Sequence, residues 1–173
     1  MHYGVARPGS ILASRSNSLF RRGSVSKIRA LVIDEHIEVR RALTSRLTKC
    51  EDLMVLPAGE SLDQGLTLVS EHHPDVVLLG LPVLQDARDL TGIAELAGCL
   101  AIDGAALLVL TTYSDEEDRK AILRAGARRY MLKDVDTDGL IKEIERALTE
   151  TAAYAKRPRA GRKPQPGRLP NVG

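Results

Sequence analysis

Two adjacent carboxylates, Asp34-Glu35, close a short aliphatic run that begins at Ile28, and two hydroxyls, Thr111-Thr112, close another that begins at Ala106. Gly80 ends a third run, Val76-Val77-Leu78-Leu79, and Lys133 ends a fourth around Tyr130 to Leu132. Carboxylates, a hydroxyl and an ammonium brought to one place are the groups that handle a divalent metal and a phosphoryl group. Other candidates are weaker. His72-His73 have no third ligand at metal-site spacing, and their position before Pro74 suits imidazoles that complement the end of a helix dipole. Arg21-Arg22-Gly23-Ser24 has the form of a basic kinase recognition stretch, but in a segment so rich in Ser and Arg chance neighbours are the simpler reading. Cys50 and Cys99 make neither a CxxC pair nor a disulfide framework and read as reduced thiols. No Ser/His/Asp or Cys/His nucleophile is in sight, and no enzymatic activity is expected.

The elements that must carry these residues follow from periodicity. Ile28 to Ile33 reads as a buried strand, followed by a helix with Ile37, Leu43 and Leu47 on one side and Arg40-Arg41 on the other. Met54 to Leu56 is a weaker strand. Ser61 with Gln64 makes a capping box that opens a helix to about Ser70. Val76 to Leu79, apolar at every position, is expected of a central strand covered on both faces. Leu90 to Leu100 reads as a helix weakened by Gly92 and Gly98, and Ala106 to Leu110 as a strand. A capping box of Ser114 and Glu117 opens the next helix, which closes at Gly126. A short strand at Tyr130 to Leu132 leads to Asp136 as N-cap of a last helix with Leu140, Ile141, Ile144 and Leu148 on one face. Five strand–helix units in strict alternation imply right-handed crossovers and a parallel sheet with helices on both faces. In such a sheet, function collects beyond the carboxyl ends of the strands, where the residues above stand.

Charge divides the 173 residues into three. All 23 acidic residues lie between Asp34 and Glu150, and the 13 Lys and Arg of that stretch leave it at −10. The other 12 basic residues are shared equally by residues 1–33 and 151–173, which hold no acid. Residues 1–27 read as a disordered basic arm rich in Ser and Arg, with a composition that an organellar transit peptide shares. Residues 151–173, rich in Pro, Gly and Arg, read as a disordered tail. The longest apolar stretch, Val76 to Leu84, is about half of the roughly 20 residues a membrane-spanning helix needs, and a cytoplasmic location is expected.

With these elements in place, residues 28–150 resemble the receiver domain of two-component response regulators. The resemblance rests on ALVIDEH for the acidic pair, PDVVLLGL for the third strand, VLTTYSDEED for the hydroxyl and GARRYMLKD for the aromatic and the lysine. The stretch AGARRYMLKD looks most like receivers that precede a helix-turn-helix DNA-binding domain. The fold this implies is flavodoxin-like (CheY-like) α/β, a five-stranded parallel sheet of order 2-1-3-4-5. Residue by residue, Asp34 and Glu35 match the family's metal-binding pair, Thr111 its hydroxyl, Tyr130 its aromatic switch residue and Lys133 its lysine. Simpler roles stand beside these: Lys133 neutralising a buried acid, Thr111 capping a loop, Tyr130 packing at a strand end.

One position departs from the family. Its third strand ends in the aspartate that accepts the phosphoryl group, and here Gly80 stands in that place, followed by LPVLQDARDL in place of the usual loop signature. Glycine offers no carboxylate nucleophile. With the third carboxylate missing, no tightly bound cofactor is expected, and Mg²⁺ is expected to bind weakly at most. The implied protein is a pseudo-receiver that regulates by protein–protein contact. Its partner is expected to be a histidine kinase, a DNA-binding regulator or a second copy, met through the face of the fourth helix, fifth strand and fifth helix that includes Arg119, Arg124, Arg128-Arg129, Lys142 and Glu145. Two alternatives belong to other classes: non-specific nucleic-acid binding through the basic tails, and small-ligand sensing in the crevice by Gly80.

Overall fold

Aliphatic runs with no polar interruption bury on both sides, and here two of them form the centre of a single sheet. The computed structural model describes residues 27–81, 84 and 87–155, so most of the basic arm and the tail expected from the sequence lie outside the described residues. Its elements are β1 (Ile28–Ile33), α1 (Ile37–Thr48), β2 (Leu53–Val55), α2 (Leu62–His72), β3 (Val76–Leu81), α3 (Ala87–Asp103), β4 (Ala106–Thr111), α4 (Glu116–Arg124), β5 (Arg129–Leu132) and α5 (Thr137–Ala155). The strands are all parallel, in the order β2-β1-β3-β4-β5. The expected order 2-1-3-4-5 is therefore the observed one.

Alternation along each strand sends successive side chains to opposite faces. Leu31 and Ile33 of β1, Val77 and Leu79 of β3, and Leu107 and Val109 of β4 pack against Ile93, Leu96 and Leu100 of α3 and Ile122 of α4. Ala30 and Val32, Val76 and Leu78, and Leu108 and Leu110 pack instead against Leu43 and Leu47 of α1 and Leu140, Ile144 and Ala147 of α5. Every residue of β4 is buried. Each such Leu, Ile or Val contributes about 1.5–3 kcal/mol relative to an exposed position. Because both faces are covered, polar groups are left with the strand ends.

Local chemistry sets the helix boundaries. Ser61 Oγ accepts from Gln64 N–H at the start of α2. At the start of α4 the cap is Asp115 rather than Ser114: its carboxylate accepts from the N–H groups of both Glu117 and Asp118, which a single hydroxyl does less well. Asp136 caps α5 as expected, accepting from Gly139 N–H. His73 ends α2 in the left-handed region with φ 44° and lies 3.1 Å from an Asp103 carboxylate oxygen through Nδ1. It thus serves a structural end, and among the described residues no group of three or more His, Cys, Asp or Glu could hold a metal ion.

Several other expectations shift, and β3 runs through Gly80 to Leu81 rather than ending at Gly80. β2 begins one residue earlier than read, and α3 is longer at both ends. Ile37 does not join the buried side of α1 but is 49% exposed in its first turn. The last helix continues past 150 to Ala155, with Thr151 buried and its hydroxyl returned to Ala147 O. Among the described residues no helix is long and apolar enough to cross a membrane.

Candidate functional site

Register decides which strand ends meet. Ile33 of β1 pairs with Leu79 of β3, so Asp34 emerges beside Gly80, which itself pairs with Leu110 of β4. Thr111 pairs with Leu132 on the other side, and Lys133 N–H donates to Thr111 O. The side chain of Asp34 is completely buried. Its Oδ1 accepts the His36 N–H at 2.9 Å, and its Oδ2 lies 2.6 Å from Lys133 Nζ, whose side chain is only 10% exposed. At that distance the ammonium and the carboxylate form a close, charge-assisted ion pair. The short separation matters energetically because both side chains are buried.

The carboxylate sits where a side chain at position 80 would begin. A Cβ built on Gly80 falls 1.7 Å from Asp34 Oδ2 and 2.5 Å from Asp34 Cγ, well inside any tolerable contact. The loop that delivers Asp34 is held from below by Arg40, whose Nη1 donates to the carbonyl oxygens of Asp34 at 2.6 Å and Glu35 at 3.0 Å. Glu60 Oε2 lies 3.7 Å from Arg40 Nη2. Sequence reading placed Arg40 on a solvated face. The available signal was a cation in the first turn of a helix, where the macrodipole favours acids and a basic residue calls for a specific acceptor.

The two members of the expected acidic pair differ in burial, and one imidazole stands against both, with His36 Nδ1 3.4 Å from Asp34 Oδ1. Glu35 turns outward, 59% exposed, with His36 Nδ1 3.6 Å from its carboxylate. Of the two acids only Asp34 faces Gly80 and Lys133. For a metal that needs several oxygen donors, Asp34 is already paired with the Lys133 ammonium, and Glu35 is 59% exposed. Next to these residues lies an open cleft of about 290 Å³ lined by Glu35, Glu60, Ser61, Gly80 and Asp89 among others. The charged residues of its lining are Asp34, Glu35, Glu60 and Asp89.

Thr111 and Tyr130 converge elsewhere. The Thr111 hydroxyl donates to Tyr113 O at 2.9 Å and accepts the Tyr113 N–H at 3.3 Å, closing the turn before α4. The Tyr130 hydroxyl donates to the same Tyr113 carbonyl at 3.2 Å and lies 3.5 Å from Asp115 N. Both residues therefore bind the loop between β4 and α4.

A family model described as "Response regulator receiver domain" matches residues 30–145. The chain belongs to this family. Among its relatives, the nitrate/nitrite response regulator protein homolog of Haemophilus influenzae is 30% identical over 122 residues, 69% of this chain and 56% of the relative. The nitrate/nitrite response regulator protein NarL of Escherichia coli K12 is 28% identical over 119 residues, 68% of this chain and 53% of the relative. The chain spans about half the length of the curated relatives it matches. The solved response regulator receiver domain protein (CheY-like) of Methanospirillum hungatei superposes with a TM-score of 0.63 at 21% identity, covering 75% of this chain and 99% of that one. This likeness establishes the fold.

On the receiver's α4–β5–α5 side, Arg129 is engaged within the chain. Its Nε donates to Glu143 at 2.6 Å, Nη2 and Nη1 to Glu150 at 2.7 and 3.0 Å, and Arg146 meets Glu143 at 2.6 Å. The hydrogen bonds to Glu150 raise the Arg129 pKa further despite partial burial. The same bonds hold Glu150 below the ordinary 4.5. Burial works to raise Glu143, but hydrogen bonds from Arg129 and Arg146 outweigh it and hold its pKa below 4.5 as well. This staple between β5 and α5 leaves no local pattern in the sequence, because Arg129 and its partners Glu143 and Glu150 are 14 and 21 residues apart.

A folded pKa below the unfolded one adds stability that is complete above the unfolded value and is lost as pH falls through the folded value. Stability from these two glutamates is therefore present above about pH 4.5 and lost below it. Arg129→Met is expected to lower Tm at neutral pH by about 3 °C, a modest figure because Glu150 is more than half exposed. It should also flatten the acid limb of a Tm-against-pH curve below pH 4.5. An acid limb with unchanged slope would show that the staple does not carry this dependence.

Proposed function

We propose that this receiver acts without phosphoryl transfer, as an atypical response regulator that signals by protein–protein contact within a two-component or transcriptional circuit in the cytoplasm. The observation that carries the reading is Gly80. The position matched to the family's phosphoacceptor supplies no nucleophile, and the adjacent Asp34 is already neutralised by Lys133. The same arrangement leaves no more than a weak site for Mg²⁺ and no catalytic role for the chain. Several curated relatives are transcriptional regulatory proteins by name, and this supports a partner drawn from such a circuit: a histidine kinase, a DNA-binding regulator or a second copy. The face offered to it is the side of α4, β5 and α5, with Arg119, Arg124, Arg128, Lys142 and Glu145.

The test is an amide NMR spectrum of the full chain recorded alone, with millimolar Mg²⁺, and with Mg²⁺ and beryllofluoride as a phosphoryl mimic. The expected spectra coincide at Thr111, Tyr130, Lys133 and across α4–β5–α5. Saturable shifts at those residues would mean that the crevice still senses a phosphoryl-like group, and the reading would fail.

A further inference from the structure

We infer that Asp34 and Lys133 form an internal lock that occupies the crevice, and that residue 80 is glycine because the lock needs the space of its side chain. The inference deepens the phosphorylation-independent reading and rests on it for its functional meaning.

Glycine is required either for a backbone conformation or for room. Gly104 and Gly126 are the glycines with positive φ among the described residues; Gly80 is not one of them. Gly80 sits in regular strand pairing with Leu110, so backbone freedom does not account for it. Room does. Asp34 Oδ2 stands 1.7 Å from where its Cβ would be, while ordinary contacts between heavy atoms are about 3.5–4.0 Å.

Asp34 has little freedom to give way. Its N–H donates to Gly59 O, its carbonyl is held by Arg40, its Oδ1 accepts from His36 N–H, and its Oδ2 touches Lys133. Any side chain at position 80 must turn the carboxylate out and strand a Lys133 ammonium that is almost wholly buried. The pair thus ties the ends of β1 and β5 across β3 and β4, an ammonium standing as the fixed counter-cation of the buried acid. Restoring an aspartate at position 80 does not by itself restore an acceptor site, because it expels Asp34.

The test is thermal unfolding of the full chain in a mutant cycle. In the wild-type background, Gly80→Ala is expected to lower Tm by roughly 5 °C or more. In a background carrying Asp34→Ala with Lys133→Met, which removes both charges together, Gly80→Ala is expected to change Tm by no more than about 1 °C. A Gly80→Ala protein that does not fold alone, beside a triple variant as stable as its background, supports the lock in the same way. An equal loss in both backgrounds, or none in the wild type, overturns it. Failure of the phosphorylation-independent reading would show instead as a phosphoryl adduct on wild type, which this cycle does not measure.

Discussion

Lys133→Ala is expected to lower the unfolding free energy by about 3–5 kcal/mol, the cost of removing one member of a buried ion pair and leaving the other in place. From sequence alone the estimate is lower, about 1–3 kcal/mol, falling to near zero if water reaches the cluster. Burial decides between them: the Asp34 side chain is 0% exposed and that of Lys133 10%. After the substitution Asp34 keeps its bond from His36 N–H, but Oδ2 faces no positive charge and no directed donor. Denaturant unfolding measures the effect. A fair comparison is Arg41→Ala, whose partner Glu38 is 3.3 Å away with both side chains more than two-thirds exposed, and which should cost less than about 1 kcal/mol. Replacing both members, as Asp34→Ala with Lys133→Met, should recover part of the loss because no uncompensated charge remains. A loss under about 1 kcal/mol for Lys133→Ala would mean that water replaces the ammonium and that the pair holds nothing together.

Most of the scaffold was legible in the sequence because it depends on local pattern. Val76 to Leu79, apolar without interruption, dictates a strand covered twice, and the five-fold alternation leaves few other topologies. Boundaries were read less well where two chemically suitable residues compete. Ser114 and Asp115 both cap helices, and the carboxylate won by accepting two N–H groups. At α5, Thr151 lengthened the helix by returning its hydroxyl to Ala147 O and burying itself, a tertiary effect invisible in a segment whose composition turns toward a tail.

At the site, residue types were legible and rotamers were not. Asp34, Gly80 and Lys133 were placed together by strand-end logic, and the structure brings them into contact. That Glu35 faces solvent, and that Asp34 folds over Gly80, depends on side-chain directions that adjacency in sequence does not set. Arg40 in the first turn of α1 signals a need for an acceptor, but which backbone carbonyls it meets depends on the fold. The resemblance pairs Thr111 and Tyr130 as switch-like residues, and the fold shows them sharing the Tyr113 carbonyl.

The second large effect is an absence of chemistry. A small phosphodonor such as acetyl phosphate transfers its group to a carboxylate that can reach it with cation support. Gly80 has none to offer. Asp34 is enclosed, with Lys133 on one oxygen and His36 N–H on the other. Glu35 reaches solvent but stands apart from Lys133's ammonium, which is already held by Asp34. The Thr111 hydroxyl is committed to the Tyr113 backbone. The most direct measurement is therefore the intact mass of the full chain after prolonged exposure to acetyl phosphate and Mg²⁺ at neutral pH. An unchanged mass is the expected result; a chain heavier by one phosphoryl group, mapped to Asp34, Glu35 or any neighbour in the crevice, would contradict it.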